Sequence, residues 1–282
     1  MKNSLKIAIL SYRSAPFGGG QGIYVYELSK VLKELGHQVD IISGPPYPEL
    51  IHGIELIKLP GLNLFSTFKF RDRLDLFLNK KNKSFDDWYE FGSTLLGGFP
   101  ELQTFGNRAH SYLLDKTYDV VIDNQSISYG AVKIQDSFPL VEIMHHPISK
   151  DYYYDLKFAK GILQSISKIR WYSFLKMQKR SAKKINVVVT PSMNSKEDIH
   201  TDFQVPIENI QVIPNGIDCD VFCPLPQILS KKNRLITTAS ADVPLKGLDF
   251  SLEAIARLKT EYPDIHLMVI GSPRKEGHTE RL

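Results

Sequence analysis

Six short segments hold residue types that could do chemistry. Near the N-terminus runs Gly18-Gly19-Gly20-Gln21-Gly22. Without side chains, backbone N–H groups approach an anion closely, and a helix start adds favourable potential. A diphosphate or a phosphorylated acceptor could bind there; tight-turn glycine is the plainer reading. Asp123-Asn124-Gln125 follows the apolar run Val120–Ile122, and His145-His146-Pro147 follows Leu140–Met144. A histidine at a strand end can hydrogen-bond or shuttle protons near neutral pH, or serve only to bond backbone. In Pro191–Asp198, Ser192 or Asn194 can cap a helix, and Asn194 with Glu197 has capping-box-like spacing. Asn215-Gly216 lies in Val212–Asp218. Lys246-Gly247 precedes a helical pattern, where a lysine suits a diphosphate.

The surrounding elements place these segments together. Ile7–Leu10 is a short apolar run and reads as a buried strand. After the glycine loop, Tyr24, Leu28, Val31, Leu32 and Leu35 fall on one face of a helix, and Gly36 is placed to cap it. Val39–Ile42 is the next strand, so the sheet should be parallel. Further strands are expected at Ile54–Leu59, Val120–Asp123, Leu140–His145, Asn186–Thr190, Gln211–Ile213, Leu235–Ala239 and Leu267–Ile270. The class is α/β, doubly wound. Ligands of such sheets bind beyond the carboxyl ends of strands, where the glycine loop, Asn124-Gln125 and His145-His146 all fall.

Leu62–Lys83 reads as an amphipathic insertion. Turn and breaker residues concentrate in Asp202–Lys232. The expected domains are therefore 1–208, Rossmann-like, and 209–282, a linker and the start of a second Rossmann-like domain. That second part holds a single strand–helix–strand, which cannot close a sheet, so an incomplete domain is expected.

The composition is that of a globular protein, 43% hydrophobic and 23% charged, with a net charge of +4. No apolar stretch is long enough to span a membrane, and no secretory signal is read at the N-terminus. Cys219 and Cys223 lack neighbours at zinc spacing, so neither a disulfide nor a metal site is expected. From Lys157 to Lys184 the charges are all basic. Such a run could meet phosphates of a nucleic acid or an anionic membrane, or be a solvated helix face. The glycine loop departs from the dinucleotide fingerprint, and Asp40 lies inside its strand, which makes NAD(P) a minor alternative.

Taken together, these segments resemble the group 1 glycosyltransferases, family 4, which have the GT-B fold. The most specific stretch is Val189–Pro224, with "TPSMNSKEDI" and "IQVIPNGIDCDVFCP". "IYVYELSKVLKELGHQV", "DNQSISYG" and "HHPISKD" are similar to other parts of that family. The resemblance implies a retaining transfer of a sugar from a nucleotide diphosphate sugar (UDP-, GDP- or another) to an acceptor, without cofactor or obligatory metal. Carried over by position, Gly19, Gly20 and Gly22 lie near the donor diphosphate. His145 matches the active-site histidine, with His146 as the fallback, and Lys246 matches the lysine that pairs with the diphosphate. Asn215, Gly216 and Gly247 join the donor side; Asn124 and Gln125 join the acceptor side.

There are two departures. Ser240 stands roughly where the family usually has an arginine, and the family's Glu-x7-Glu donor element lies further downstream, where nothing after Gly271 could supply it. The chain is accordingly expected to be a fragment. The alternative is a catalytically inactive acceptor-binding or interaction module completed by another chain. The expected partners are a nucleotide sugar and a saccharide or lipid-linked acceptor, and no nucleic acid. The expected location is the cytoplasm, with peripheral contact at the inner face of the membrane suggested by the basic run and the amphipathic insertion.

Overall fold

The computed structural model describes residues 4–16, 20–67, 69–229, 231–238 and 247–271. It divides into two compact units, Met1–Asn215 and Gly216–Leu282. The first is built on seven parallel strands: β1 (Lys6–Ser11), β2 (Gln38–Ser43), β3 (Glu55–Lys58), β4 (Val120–Asn124), β5 (Leu140–Ile143), β6 (Val188–Thr190) and β7 (Ile210–Val212). Their order is β3-β2-β1-β4-β5-β6-β7. The boundary drawn from sequence at 208/209 falls too early. β7 pairs with β6, Val188 beside Ile210 and Thr190 beside Val212, so those residues belong to the first sheet.

Alternation along the strands builds the two faces. Ile7, Ile9, Val39 and Ile41 pack on one side with Val25 of α1 (Gly20–Glu34). Ala8, Leu10 and Ile42 pack on the other, with Phe105, Ala109 and Leu113. The elements there are α4 (Glu101–Leu113) and α5 (Tyr129–Gln135); α3 (Phe85–Leu95) packs on α4, and α2 (Phe70–Asn79) packs on α3. α6 (Ser149–Lys157), α7 (Ile162–Trp171), α8 (Leu175–Ala182) and α9 (Met193–Phe203) complete the unit. A further core joins Met144, Leu175, Ile199 and Phe203.

Where α4 meets α5 the contact is backbone to backbone. A Cβ on Gly130 would lie 2.1 Å from the Gly106 carbonyl oxygen, and one on Gly106 would lie 1.9 Å from Ser128 Oγ. No side chain fits between these helices.

The buried face expected for α1 is corrected. Val31 and Leu35 of α1 are half exposed, while Gly22, Val25 and Ser29 are buried. Small residues let the helix settle close to the sheet on that face, which a pattern of large apolar residues does not reveal. The 62–83 insertion has apolar residues on its inner side. Leu62, Leu64 and Phe77 are buried in a small core of their own, against Phe91. Charges pin this region down: Arg108 of α4 bonds Asp87 at 3.0 Å and Glu90 at 2.6 Å, and Glu90 accepts the Leu62 N–H at 2.8 Å.

The second unit contains β8 (Arg234–Thr238), α10 (Leu248–Leu258) and β9 (His266–Ile270), with β8 and β9 parallel. Leu248 and Ile265 are buried, whereas Ile236, Phe250 and Ile270 are more than half exposed.

Candidate functional site

β1 is the point where strand order reverses, β2 following on one side and β4 on the other. The crevice beyond such a point is the usual ligand site of an open parallel sheet. A cavity of about 500 Å³ lies there. Gly20, Gln21 and Tyr24 reach it from the start of α1, Gln125 from the end of β4, His145 and His146 from the end of β5, and Asn215 from beyond β7.

His145 is the most constrained of these groups. Its Nε2 lies 2.9 Å from Asn124 Oδ1, and the Asn124 amide nitrogen donates to Ser11 Oγ at 3.5 Å. With the carboxamide oriented by Ser11, Nε2 carries the proton and Nδ1 is left as an acceptor. The Tyr24 ring meets the imidazole edge to face, centroids 4.6 Å apart. Burial, with the neighbouring His146, lowers the imidazole pKa to about 4. The ring is therefore neutral at physiological pH and can accept a hydrogen bond from a ligand hydroxyl.

Gln125 clamps the two histidines. Its Oε1 accepts the His145 N–H at 3.1 Å, and its Nε2 donates to the His146 carbonyl at 3.3 Å. His146 itself is 56% exposed and lies 3.0 Å from Asp151. Asn124, grouped with the acceptor side in the sequence, is fully buried beneath His145 and is no part of the cavity wall. Its place is to orient the imidazole.

The glycine loop divides by role. A Cβ on Gly22 would lie 2.2 Å from the Ala15 carbonyl oxygen, so this glycine is needed for packing. A Cβ on Gly20 would meet nothing within 4 Å, and Gly20 lines the cavity. Gly19 and Lys246 lie outside the described residues. Gly216 and Gly247 belong to the second unit, where Gly247, at φ +71°, precedes α10. Ser192 caps α9, accepting the Ser195 N–H at 3.1 Å, as its position suggested. Both cysteines are free, and among the described residues no three His, Cys, Asp or Glu side chains gather as a metal site would need.

The cavity also has an aromatic wall that sequence reasoning missed. Tyr12, Phe99, Trp171, Tyr172 and Phe174 line the cavity. Phe99 packs 5.0 Å from Trp171 and 5.7 Å from Phe174, and Phe65 supports Trp171 at 5.1 Å. The Tyr172 hydroxyl donates to Asp155 at 3.1 Å, which fixes its ring. Trp171, Tyr172 and Phe174 are neighbours in sequence, but Tyr12 and Phe99 come from distant segments, so no local pattern announces the whole wall. A cavity with one apolar aromatic wall and one wall of amides and imidazoles suits a ring that has apolar faces and hydroxyl edges, such as a pyranose.

Comparison with known proteins shows the family and the fold. The chain is 41% identical over 282 residues to an MMP alpha-(1->4)-mannosyltransferase from Mycolicibacterium hassiacum, covering 99% of this chain and 67% of that protein. Among solved structures, a glycosyltransferase from Rickettsia africae superposes with a TM-score of 0.56 at 17% identity, over 99% of this chain and 64% of its own. The catalytic domain of starch synthase IV from Arabidopsis thaliana, bound to ADP and acarbose, gives 0.56 at 16%, over 99% and 70%. TarM gives 0.60 at 12%, over 97% and 72%. The chain thus spans about two thirds of these relatives, and its fold is the GT-B fold of glycosyltransferases. Residues 18–221 match the model of Glycosyltransferase Family 4. This match takes in β2 to β7 and the cavity residues that follow the glycine loop, and the chain belongs to that family.

Proposed function

We propose that the chain carries the acceptor side of a retaining mannosyltransferase. It moves mannose from a nucleoside diphosphate mannose to a saccharide, forming an α-(1→4) linkage. The identity to the mycobacterial mannosyltransferase supports the sugar and the linkage. The retaining course rests on the family resemblance. The observation that carries the reading is the cavity itself, with a neutral imidazole held at one wall and aromatic rings at the other.

In this reading the acceptor pyranose lies on Trp171 and Tyr172 with its hydroxyls toward Gln125 and His145. The Nδ1 atom of His145 accepts a hydroxyl proton of the bound sugar and so orients it. Gly20, at the first turn of α1, offers backbone N–H groups to the diphosphate leaving group. The test is a screen of nucleoside diphosphate mannoses against mannose oligosaccharides of increasing length, reading nucleotide release and the anomeric configuration of the product. Transfer with retained configuration is expected. An inverted product would remove the retaining assignment, and release only with other sugars would remove the mannosyl one.

A second surface supports peripheral contact with a membrane. α7 leaves Ile162 and Leu163 79% and 85% exposed beside Lys160 and Arg170. Such a helix suits an anionic bilayer. Co-sedimentation with vesicles should rise with their anionic lipid content; binding indifferent to lipid charge would remove this contact. Among the described residues no helix is long and apolar enough to cross a membrane.

A further inference from the structure

Beneath the histidine turn lies a pair of acids that the transfer reaction does not use. Asp123 of β4 and Glu142 of β5 are register neighbours on adjacent parallel strands, and both are fully buried. Asp123 Oδ2 accepts the Ser126 hydroxyl. The other three oxygens, Asp123 Oδ1 and both of Glu142, are buried and make no well-formed hydrogen bond, although the N–H groups of Gln125 and Ile127 face Glu142. Two adjacent carboxylates without solvent cannot both be charged, and a single proton between them resolves both the repulsion and the missing bond.

The surroundings show which acid holds the proton. Facing Glu142 are the Asp123 carboxyl and the backbone N–H groups of Ile127 and Gln125. On its other side Glu142 neighbours Val188 of β6, which is apolar. From α8 comes the neutral Gln178, whose amide donates to the Ser126 carbonyl. Burial raises the Asp123 carboxyl too, but the Ser126 hydroxyl donates to it and offsets part of that rise, which makes Asp123 the stronger acid of the two. Burial and the Asp123 charge push the Glu142 carboxyl well above its ordinary range.

The turn above this pair is unusual. Gln125 and Ile127 both adopt left-handed backbone, at φ +63° and +49°. A β-branched residue takes that conformation only when its surroundings enforce it. The N–H groups of these two residues are the ones that face Glu142. The turn in turn sets the Gln125 side chain, which clamps the backbone of both histidines.

The geometry points to Asp123 and Glu142 as a one-proton carboxyl pair that positions the Gln125 clamp and, through it, His145. Glu142 is a positioning residue: it touches no substrate and acts through the 125–127 turn. This role rests on the reading of His145 as a site residue, but its chemistry can be tested apart from transfer.

The experiment compares the full chain with Glu142→Gln, which copies the protonated acid, and Glu142→Leu, which removes it. The infrared difference spectrum of wild type minus Glu142→Gln, in heavy water at neutral pH, should show a protonated carboxyl band, because the contribution of Glu101, whose pKa is raised to about 7, is common to both and cancels. The His145 imidazole resonances should be preserved in Glu142→Gln and displaced in Glu142→Leu. In transfer assays Glu142→Gln should stay near wild type, while Glu142→Leu should lose about a hundredfold in kcat through misplacement of the site. At alkaline pH the wild type should lose turnover as the pair gives up its proton, and Glu142→Gln should not. Should Glu142→Leu fail to fold, Gln125→Asn serves instead, because asparagine accepts the left-handed turn but is too short for the clamp. It should keep the infrared band and displace the His145 signals. Absence of the band, or equal damage in Glu142→Gln and Glu142→Leu, overturns the inference. Absence of any transfer by the wild type would instead sink the proposed function, and the infrared and imidazole signals would still decide this one.

Discussion

At the scale of the residue, His145 gathers its properties from its neighbours. Asn124 orients it, Tyr24 covers it, and burial keeps it neutral. Its pKa in the folded chain, about 4, lies below the ordinary 6.5. Between those values the unfolded chain binds more protons, so His145 makes the fold lose stability as pH falls through that window. Activity that needs the neutral ring should persist on the acid side past the point where an ordinary histidine would be half protonated. A pH profile of kcat/KM with an acid limb near 6.5 would contradict the assignment. His145→Ala should lower kcat by about two to three orders of magnitude, as loss of a site hydrogen bond does. Its unfolding midpoint should change little by comparison. Asn124→Ala should follow it part of the way, by freeing the ring.

At the scale of the element, the start of α1 and the start of α4 make separate demands. Gly22→Ala sets a methyl group against the Ala15 carbonyl and should destabilise the fold by about 1–3 kcal/mol. Gly20→Ala meets open space and should leave the unfolding midpoint near wild type while weakening donor binding. Calorimetry and donor titration of the two variants separate the roles. Glu101 opens α4 and bonds Arg13 at 2.9 Å through one oxygen, while its other oxygen is buried without a partner. Burial outweighs the arginine and raises its pKa to about 7 from 4.5. The folded chain then binds more protons between those values, and stability falls as pH rises through them. Glu101→Gln should be more stable than wild type at pH 8 and no better at pH 4. A variant less stable at both would show that the charged pair with Arg13 supports the fold.

Legibility also differs by element. The strands could be read because parallel strands buried on both faces are short apolar runs, as Ile7–Leu10 and Val39–Ile42 are. The end of β5 yielded His145 because a polar pair breaks such a run. Glu142 gave no signal of its own, since one acid inside an apolar strand reads as an edge or an error until its neighbour is known. The buried face of α1 was misread for a related reason: Gly22 and Ser29 are small, and large residues dominate any count of apolar spacing. The aromatic wall was out of reach, because Phe99, Trp171 and Tyr172 meet only after the chain has folded. Trp171→Ala should raise the acceptor KM about tenfold with kcat less affected, in keeping with loss of one stacking surface.

At the scale of the whole molecule, the two units differ in how much they bury. The first encloses three apolar cores about one seven-stranded sheet. The second leaves large apolar residues exposed on both of its strands. Gly216 to Leu229 is exposed along most of its length and contains Pro224 and Pro226. Limited proteolysis should therefore cut first within 216–232 and leave a resistant product ending near Asn215. Mass spectrometry of the first fragments checks this; an early cut within β1 to β7 would contradict the division.

The meeting of Gly106 with Gly130 has a consequence in the genetic code. No change at the first or second base of a glycine codon leaves the residue without a side chain. At these two codons each such change forces α4 away from α5, and with α5 goes the turn that follows β4 and carries Gln125. In a randomly mutated library selected for the folded chain, both codons should be nearly silent outside their third base, although neither residue touches the cavity.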